Sequence, residues 1–270
     1  MTTSPVADVL ALLQSDPGSP HLTWYGPDGE RIELSGAVLA NWVAKTTNLL
    51  VEELGAGPGT DVALDLPAHW RALVWALSAW RTGATVHLAA PEDGTPVDVA
   101  VTDRPESWVG TAPDVVAVAL PGLARSFGTD LPAGVIDAAA DTMTYGDRIG
   151  AVRPTDPDVL ALAPGVYRGA VAVSFQDLLD WAASSGVVTA PDRILVTADA
   201  QCTSCAHPEG YHAPAPDGLG RRGRLVATLQ ACLAGWAAGG SVVLLGSDAT
   251  ERFATPESRA HLVSTERIGA

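Results

Sequence analysis

Apolar residues fall in short runs, separated by turn-forming residues, along most of the chain. Leu22-Thr23-Trp24-Tyr25 and Arg31-Ile32-Glu33-Leu34 flank Gly26-Pro27-Asp28-Gly29, the signal of a β-hairpin. Leu39, Trp42, Val43, Leu49, Leu50 and Leu54 then recur at helical spacing, with Ser35 placed to cap the helix and Gly55 to stop it. A second helix is expected from Trp70 to Thr82, ended by Gly83, with Val86-His87-Leu88 as a short strand after it. Trp70, Trp75 and Trp80 share that helix, and with Trp42 they read as core or as a partner-facing surface. Strands are predicted near residues 61–67, 97–102, 115–120, 158–163, 193–198 and 241–246. Strands alternating with helices imply an α/β fold with three layers and a mainly parallel sheet flanked by helices.

The remaining segments are patterned more weakly. Residues 124–153 read as loop and short helix, and residues 200–223 as a long loop rich in Pro and Gly. The chain thus divides into an N-terminal helix or tail (residues 1–20), one α/β domain (21–246) and a polar, peripheral tail (247–270) with a short helix near Pro256–Val263.

Composition narrows the function classes. Hydrophobic residues make up 47% of the 270 residues and charged residues 17%, which fits an ordered globular core. Net charge is −15 with no basic stripe, which argues against nucleic acid or an anionic membrane as partner. Val226–Ser247 carries no charge, but its Gly, Thr, Gln and Ser residues read as a core helix, a Gly-Gly break and a buried strand. The first twenty residues lack a basic, then apolar, leader pattern, and three cysteines are too few for a disulfide framework. A reducing cytoplasmic location is the expectation.

Few residues offer chemistry. Cys202-x-x-Cys205-x-His207-x-x-x-x-His212 gathers four metal-ligating side chains within eleven residues, so this loop is a candidate zinc site. The alternatives are free thiols in a loop or a transient disulfide. Asp199 could serve as a base but has no evident nucleophile beside it, and Cys232 falls in a helical pattern as a small core residue. Lys45, the single lysine, reads as a surface charge. Walker A, Rossmann, Gly-x-Ser-x-Gly and His-Glu-x-x-His motifs are absent.

Two stretches carry a resemblance. Leu54, Gly55, Gly57, Pro58, Gly59, Val62, Ala63, Leu66 and Pro67, followed by Trp80-Arg81-Thr82-Gly83-Ala84, are similar to the opening of the adenylate-forming superfamily, which includes acyl-CoA synthetases, adenylation domains and luciferases. Leu160 to Leu179 resembles the region around that superfamily's phosphate loop, with a helix that Ser174 can cap. There a longer loop rich in Ser, Thr and Gly ends in Pro-Lys-Gly; here it is Ala163-Pro164-Gly165-Val166-Tyr167, with Arg168-Gly169 in place of Lys-Gly. The resemblance covers about residues 20–246 and only the front part of such an enzyme. Most closely, the chain resembles a short actinobacterial family of no established activity.

The resemblance implies the fold of the superfamily's N-terminal domain and a degenerate phosphate site at Gly165, Arg168 and Gly169, where ATP or AMP would sit. Arg168 has two readings, a bidentate phosphate ligand or a solvated charge on a shortened turn. No catalytic residue carries over. The expected function is a non-catalytic binding or interaction protein without a resident cofactor. The alternatives are an enzyme for an acyl or nucleotide ligand, completed by a partner protein or a second copy, and a zinc-stabilised structural module.

Overall fold

Ser35 opens the first long helix by accepting the Val38 N–H at 3.3 Å, and Gly83 closes the second with φ of 90°, its N–H donating to the carbonyls of Ala79 and Trp80. The computed structural model describes residues 4–165, 171–186, 192–198 and 217–269. The chain starts with α1 (Pro5–Ser15), the hairpin β1 (Pro20–Tyr25) and β2 (Arg31–Ser35), and α2 (Gly36–Glu52). The next stretch holds β3 (Asp61–Asp65), α3 (Trp70–Thr82), β4 (Thr85–His87), β5 (Val99–Thr102), β6 (Asp114–Ala117), β7 (Ile136–Asp137) and α4 (Ala138–Asp141). The second half holds β8 (Leu160–Leu162), β9 (Val173–Ser174), α5 (Leu178–Ala183), β10 (Arg193–Thr197), α6 (Asp217–Ala237), β11 (Ser241–Leu245), α7 (Ser247–Arg252) and α8 (Pro256–Glu266).

The protein is α/β, and its strands form two sheets. One has the order β10-β11-β1-β2, the other β7-β6-β5-β3-β4-β8-β9. Described pairings are parallel except β1 with β2 and β8 with β9. The six expected strand regions are all present, four in the larger sheet and two in the smaller. Two sheets arise because nearly every strand is apolar on both faces, so each sheet must be covered twice. Leu22, Trp24, Val242 and Leu244 of the small sheet share one core with Val62, Leu64, Val99 and Val101 of the large one, through α1, α2, α3 and α6. The opposite face of the large sheet buries Ala63, Ala100 and Val115 against Trp108. The opposite face of the small sheet buries Val243 and Leu245 against Ala249 and Leu262.

Other expectations fall into place on this frame. Trp70, Trp75 and Trp80 are buried in the core, as is Cys232, whose thiol pKa burial pushes up. Lys45 differs from a free surface charge: Nζ donates to the Tyr145 carbonyl at 2.5 Å and ties the 141–150 segment to α2. Ser174 Oγ accepts the Asp177 N–H one residue ahead of α5. The C-terminal segment is polar outside but buries Leu262 and Glu266. Glu266 accepts from Tyr25 at 2.5 Å, Arg31 at 3.0 Å and Arg193 at 2.7 Å, which fastens α8 to the small sheet. No described helix is long and apolar enough to cross a membrane.

Candidate functional site

Parallel strands deliver their carboxyl ends to one edge, and in α/β sheets ligands bind there. Asp65 ends β3, the middle strand of the large sheet, and is buried. Its carboxylate accepts from Thr102 Oγ1 at 3.1 Å, Trp108 Nε1 at 3.0 Å and one Arg104 nitrogen at 2.9 and 3.1 Å. From the start of α6, Arg221 donates to the Asp65 carbonyl at 3.0 Å and pairs with the Asp103 carboxylate. Arg222, beside it, meets Asp93 at 2.6 Å. Among the described residues, three arginines therefore reach this edge, and each is held by a carboxylate. Arg104 stays charged, since nearby Asp65, Asp103 and Glu92 outweigh partial burial and raise its pKa.

Beside this cluster lies a cavity of about 540 Å³. Its walls come from Trp24 of β1 and the segments after β1 and β11 in one sheet (Pro27, Gly246), and from the segments after β3 and β6 in the other (Pro67, His69, Leu120). The apolar wall is backed by close packing. A Cβ on Gly246 would meet the Trp24 ring at 2.6 Å, and one on Gly122 would meet Ile32 Cδ1 at 2.1 Å. Three carboxylates line the cavity, Asp28, Glu30 and Asp248, together with the polar side chains of His69 and Ser247. Glu30 is fixed, taking the Trp24 Nε1–H at 3.0 Å and the Gly122 N–H at 2.8 Å.

His69 caps α3 through Nδ1, which accepts the Arg71 N–H at 3.1 Å. That bond leaves the ring proton on Nε2. Burial, and then the Arg71 charge, push the His69 pKa down to about 3, so the ring is neutral at physiological pH. Its ring packs against Trp24 in an edge arrangement, with centroids 4.5 Å apart. The neutral imidazole can exchange hydrogen bonds with a ligand but cannot supply a positive charge.

The sequence-derived candidates are only partly placed. Gly165 follows β8, whose pairing with β4 brings it to this same carboxyl edge. Arg168, Gly169, Asp199, Cys202, Cys205, His207 and His212 lie outside the described residues. Among the described residues no group of three His, Cys, Asp or Glu side chains could hold a metal ion. Sequence reading did not single out Asp65, Arg104, Arg221 or His69. The available signals were a carboxylate directly after the apolar run 62–64 and the Arg221-Arg222 doublet ahead of an apolar helical run in a chain of few cations. A larger cavity, about 660 Å³, lies between α1 and α2 and reaches Arg81 at the far end of α3. Arg81, Arg148, Asp147 and Asn41 are among the polar residues that line it.

Comparison with known proteins fits this geometry. The structure superposes on acetoacetyl-CoA synthetase from Streptomyces lividans with a TM-score of 0.67 at 19% identity, over 94% of this chain and 41% of that one. An acyl-CoA synthetase from Brucella canis gives 0.62 at 19% identity, over 96% of this chain and 52% of that one. The N-terminal domain of FACL13 from Mycobacterium tuberculosis gives 0.64 at 17% identity, over 99% of this chain and 62% of that one. This chain thus spans less than two thirds of each of these structures, and the likeness concerns the fold. No family model matches the sequence. A TIGR03089 family protein of Mycobacterium tuberculosis (strain ATCC 25618 / H37Rv) is 38% identical over 198 residues, which is 69% of this chain and 75% of that protein. The chain belongs to the TIGR03089 family and is built on the fold of the N-terminal domain of acyl-CoA synthetases.

Proposed function

We propose that this protein is a non-catalytic binding protein that takes a small neutral or cationic ligand with an apolar body into the carboxyl-edge cavity. One observation carries the reading: among the described residues, Arg104, Arg221 and Arg222 at that edge are engaged by Asp65, Asp103 and Asp93. Adenylation develops negative charge on a phosphate and requires unengaged cations and donors there. The cavity's own ionisable lining is acidic, which opposes a nucleotide triphosphate and favours an ester, amide, thioester or amine. Its volume falls in the range of small-molecule sites.

The test is titration calorimetry with matched ligands of one acyl length: the free acid, the methyl ester, the amide and the amine, together with MgATP. The ester, amide or amine is expected to saturate, and Gly246→Val, which fills the wall at Trp24, to weaken it at least tenfold. Tight binding of MgATP, or ligand binding indifferent to Gly246→Val, overturns the reading.

A second reading is an active site completed by a partner chain or a second copy. It is favoured by Arg104, whose side chain is 47% exposed although its guanidinium meets Asp65. Activity that depends on protein concentration or on an added partner, and is lost in Arg104→Ala, would support it.

A further inference from the structure

Arg81 stands in the last turn of α3, half-buried, and no described residue pairs or hydrogen-bonds with its side chain. Arg104, Arg193, Arg221 and Arg222, by contrast, each meet a carboxylate. Burial lowers the Arg81 pKa, with no acid near enough to raise it again. The carbonyl end of α3 favours a cation in its last turn, but it supplies no described hydrogen bond to this side chain.

Arg81 lines a further cavity, of about 500 Å³, and Arg153 lines it as well. No carboxylate is among its lining residues; Asp8, Asp156 and Asp158 are near in the chain but stay outside that lining. Residues 152–157 precede β8, Phe175 follows β9, the antiparallel neighbour of β8, and Arg81 ends the helix that leads into β4. The cavity therefore lies at the amino ends of β4 and β8, opposite the edge that holds Asp65. Gly57 and Gly83 leave the room for two of its walls: a Cβ on Gly57 would overlap the Arg153 guanidinium, and one on Gly83 the Thr155 hydroxyl. Ser4 and Pro5 begin α1 on this cavity, and the Ser4 side chain does not cap the helix, so a positive helix end adds to the two arginines. The rest of the wall is apolar, from prolines, Val152 and the buried ring of Phe175.

Two cations without an acid make a local exception in a chain of net charge −15. Arg153 is exposed and turns one nitrogen toward the Gly55 carbonyl at 3.4 Å, whereas Arg81 is uncommitted. One uncommitted arginine matches one negative charge, and its planar fork suits a carboxylate. A phosphate chain would bring several charges to that single arginine. The volume is that of a small-molecule site, and its apolar wall suits an apolar body.

We propose that the amino-edge cavity binds an organic monocarboxylate, with the carboxylate on Arg81 and the apolar body against Phe175. This site goes beyond the carboxyl-edge reading and has the opposite charge preference. The two readings fail separately, because the other one rests on the ester, amide and amine and on Gly246→Val.

The test is titration calorimetry of the intact chain with sodium octanoate and, as the cationic counterpart, octylamine hydrochloride. Octanoate is expected to bind saturably, and Arg81→Met to weaken it at least tenfold without weakening octylamine. If that variant does not fold, Arg153→Met, at an exposed position, is expected to weaken octanoate at least threefold. In the wild-type protein, nuclear Overhauser contacts from the octanoate methylenes should fall on the Phe175 ring. Contacts on Trp24 would put the acid in the carboxyl-edge cavity, and contacts on Leu10 in the cavity between α1 and α2; either result overturns the proposal. So does the absence of saturable octanoate binding, or octanoate affinity unchanged in the variant that folds.

Discussion

One nitrogen of Arg104 donates to both oxygens of the Asp65 carboxylate, at 2.9 and 3.1 Å, and closes the carboxyl end of the central strand. Thr102 and Trp108 donate to the same carboxylate, so four bonds converge on one buried acid. Asp65→Asn keeps the shape but removes the charge and offers an N–H₂ where donors already point. We expect a loss of about 2–4 kcal/mol in urea unfolding, below the figure for a fully buried pair because Arg104 is half exposed. A loss under about 0.5 kcal/mol would mean that the cluster is not holding this edge.

Glycine at 246 is needed for close approach and not for an unusual backbone angle, since φ is −67°. A Cβ there meets the Trp24 ring at 2.6 Å. Gly246→Ala is expected to cost about 1–3 kcal/mol, through overpacking. It should also displace the Trp24 indole, read as a shifted Nε1–H signal in a proton–nitrogen spectrum. An unchanged Trp24 signal would contradict the packing described.

His69 supplies a pH dependence of definite sign. Its pKa in the folded protein is about 3, against an ordinary 6.5, because of burial and the Arg71 charge. Between those values the unfolded chain binds more protons, so stability falls as pH drops from 6.5, by up to about 1.4 kcal/mol per pH unit. His69→Asn, whose side chain can still accept the Arg71 N–H as a cap, is expected to flatten stability between pH 6.5 and 4.5. Parallel wild-type and variant curves across that window would remove His69 from the account.

Glu266 acts lower on the scale. Burial pushes its pKa up, but hydrogen bonds from Tyr25, Arg193 and Arg31 outweigh burial and hold it below the ordinary 4.5. The stability it contributes is complete above that ordinary value and is lost as pH falls through the folded-state value. Glu266→Gln should therefore be less stable than wild type above pH 5, with the gap narrowing below pH 4.5. Hydrogen exchange in α8 reads this directly: wild-type protection there should drop on acidification, while the variant should be exposed at both pH values.

Much of this fold was legible in the chain because its elements carry local signals. Ser35 and Gly83 mark helix ends by residue type, and the apolar runs mark the strands. His69 escaped notice because histidine is not a usual cap; only the bond to Arg71 N–H reveals that role. The division into two sheets was hidden because strands apolar on both faces look alike whichever sheet they join. The Asp65 cluster was hidden because Arg104 and Arg221 lie 39 and 156 residues away from it along the chain. α8 was underrated because a single buried leucine and an ion-paired glutamate, not an apolar stripe, dock it. Arg168, Gly169 and the Cys202–His212 loop lie outside the described residues, so zinc and nucleotide binding there rest on sequence alone.

The central claim is the proposal that the described cations of the carboxyl edge, Arg104, Arg221 and Arg222, are committed to carboxylates and do not serve a phosphate chain. Pyrophosphate exchange by the purified chain, with MgATP and a broad panel of acyl and amino acids, tests it most directly. The account predicts exchange no greater than the protein-free control for every acid, with and without Arg104→Ala. Exchange that depends on one acid and is abolished by Arg104→Ala or by Arg168→Ala would contradict it, and would place an active phosphate site on this edge.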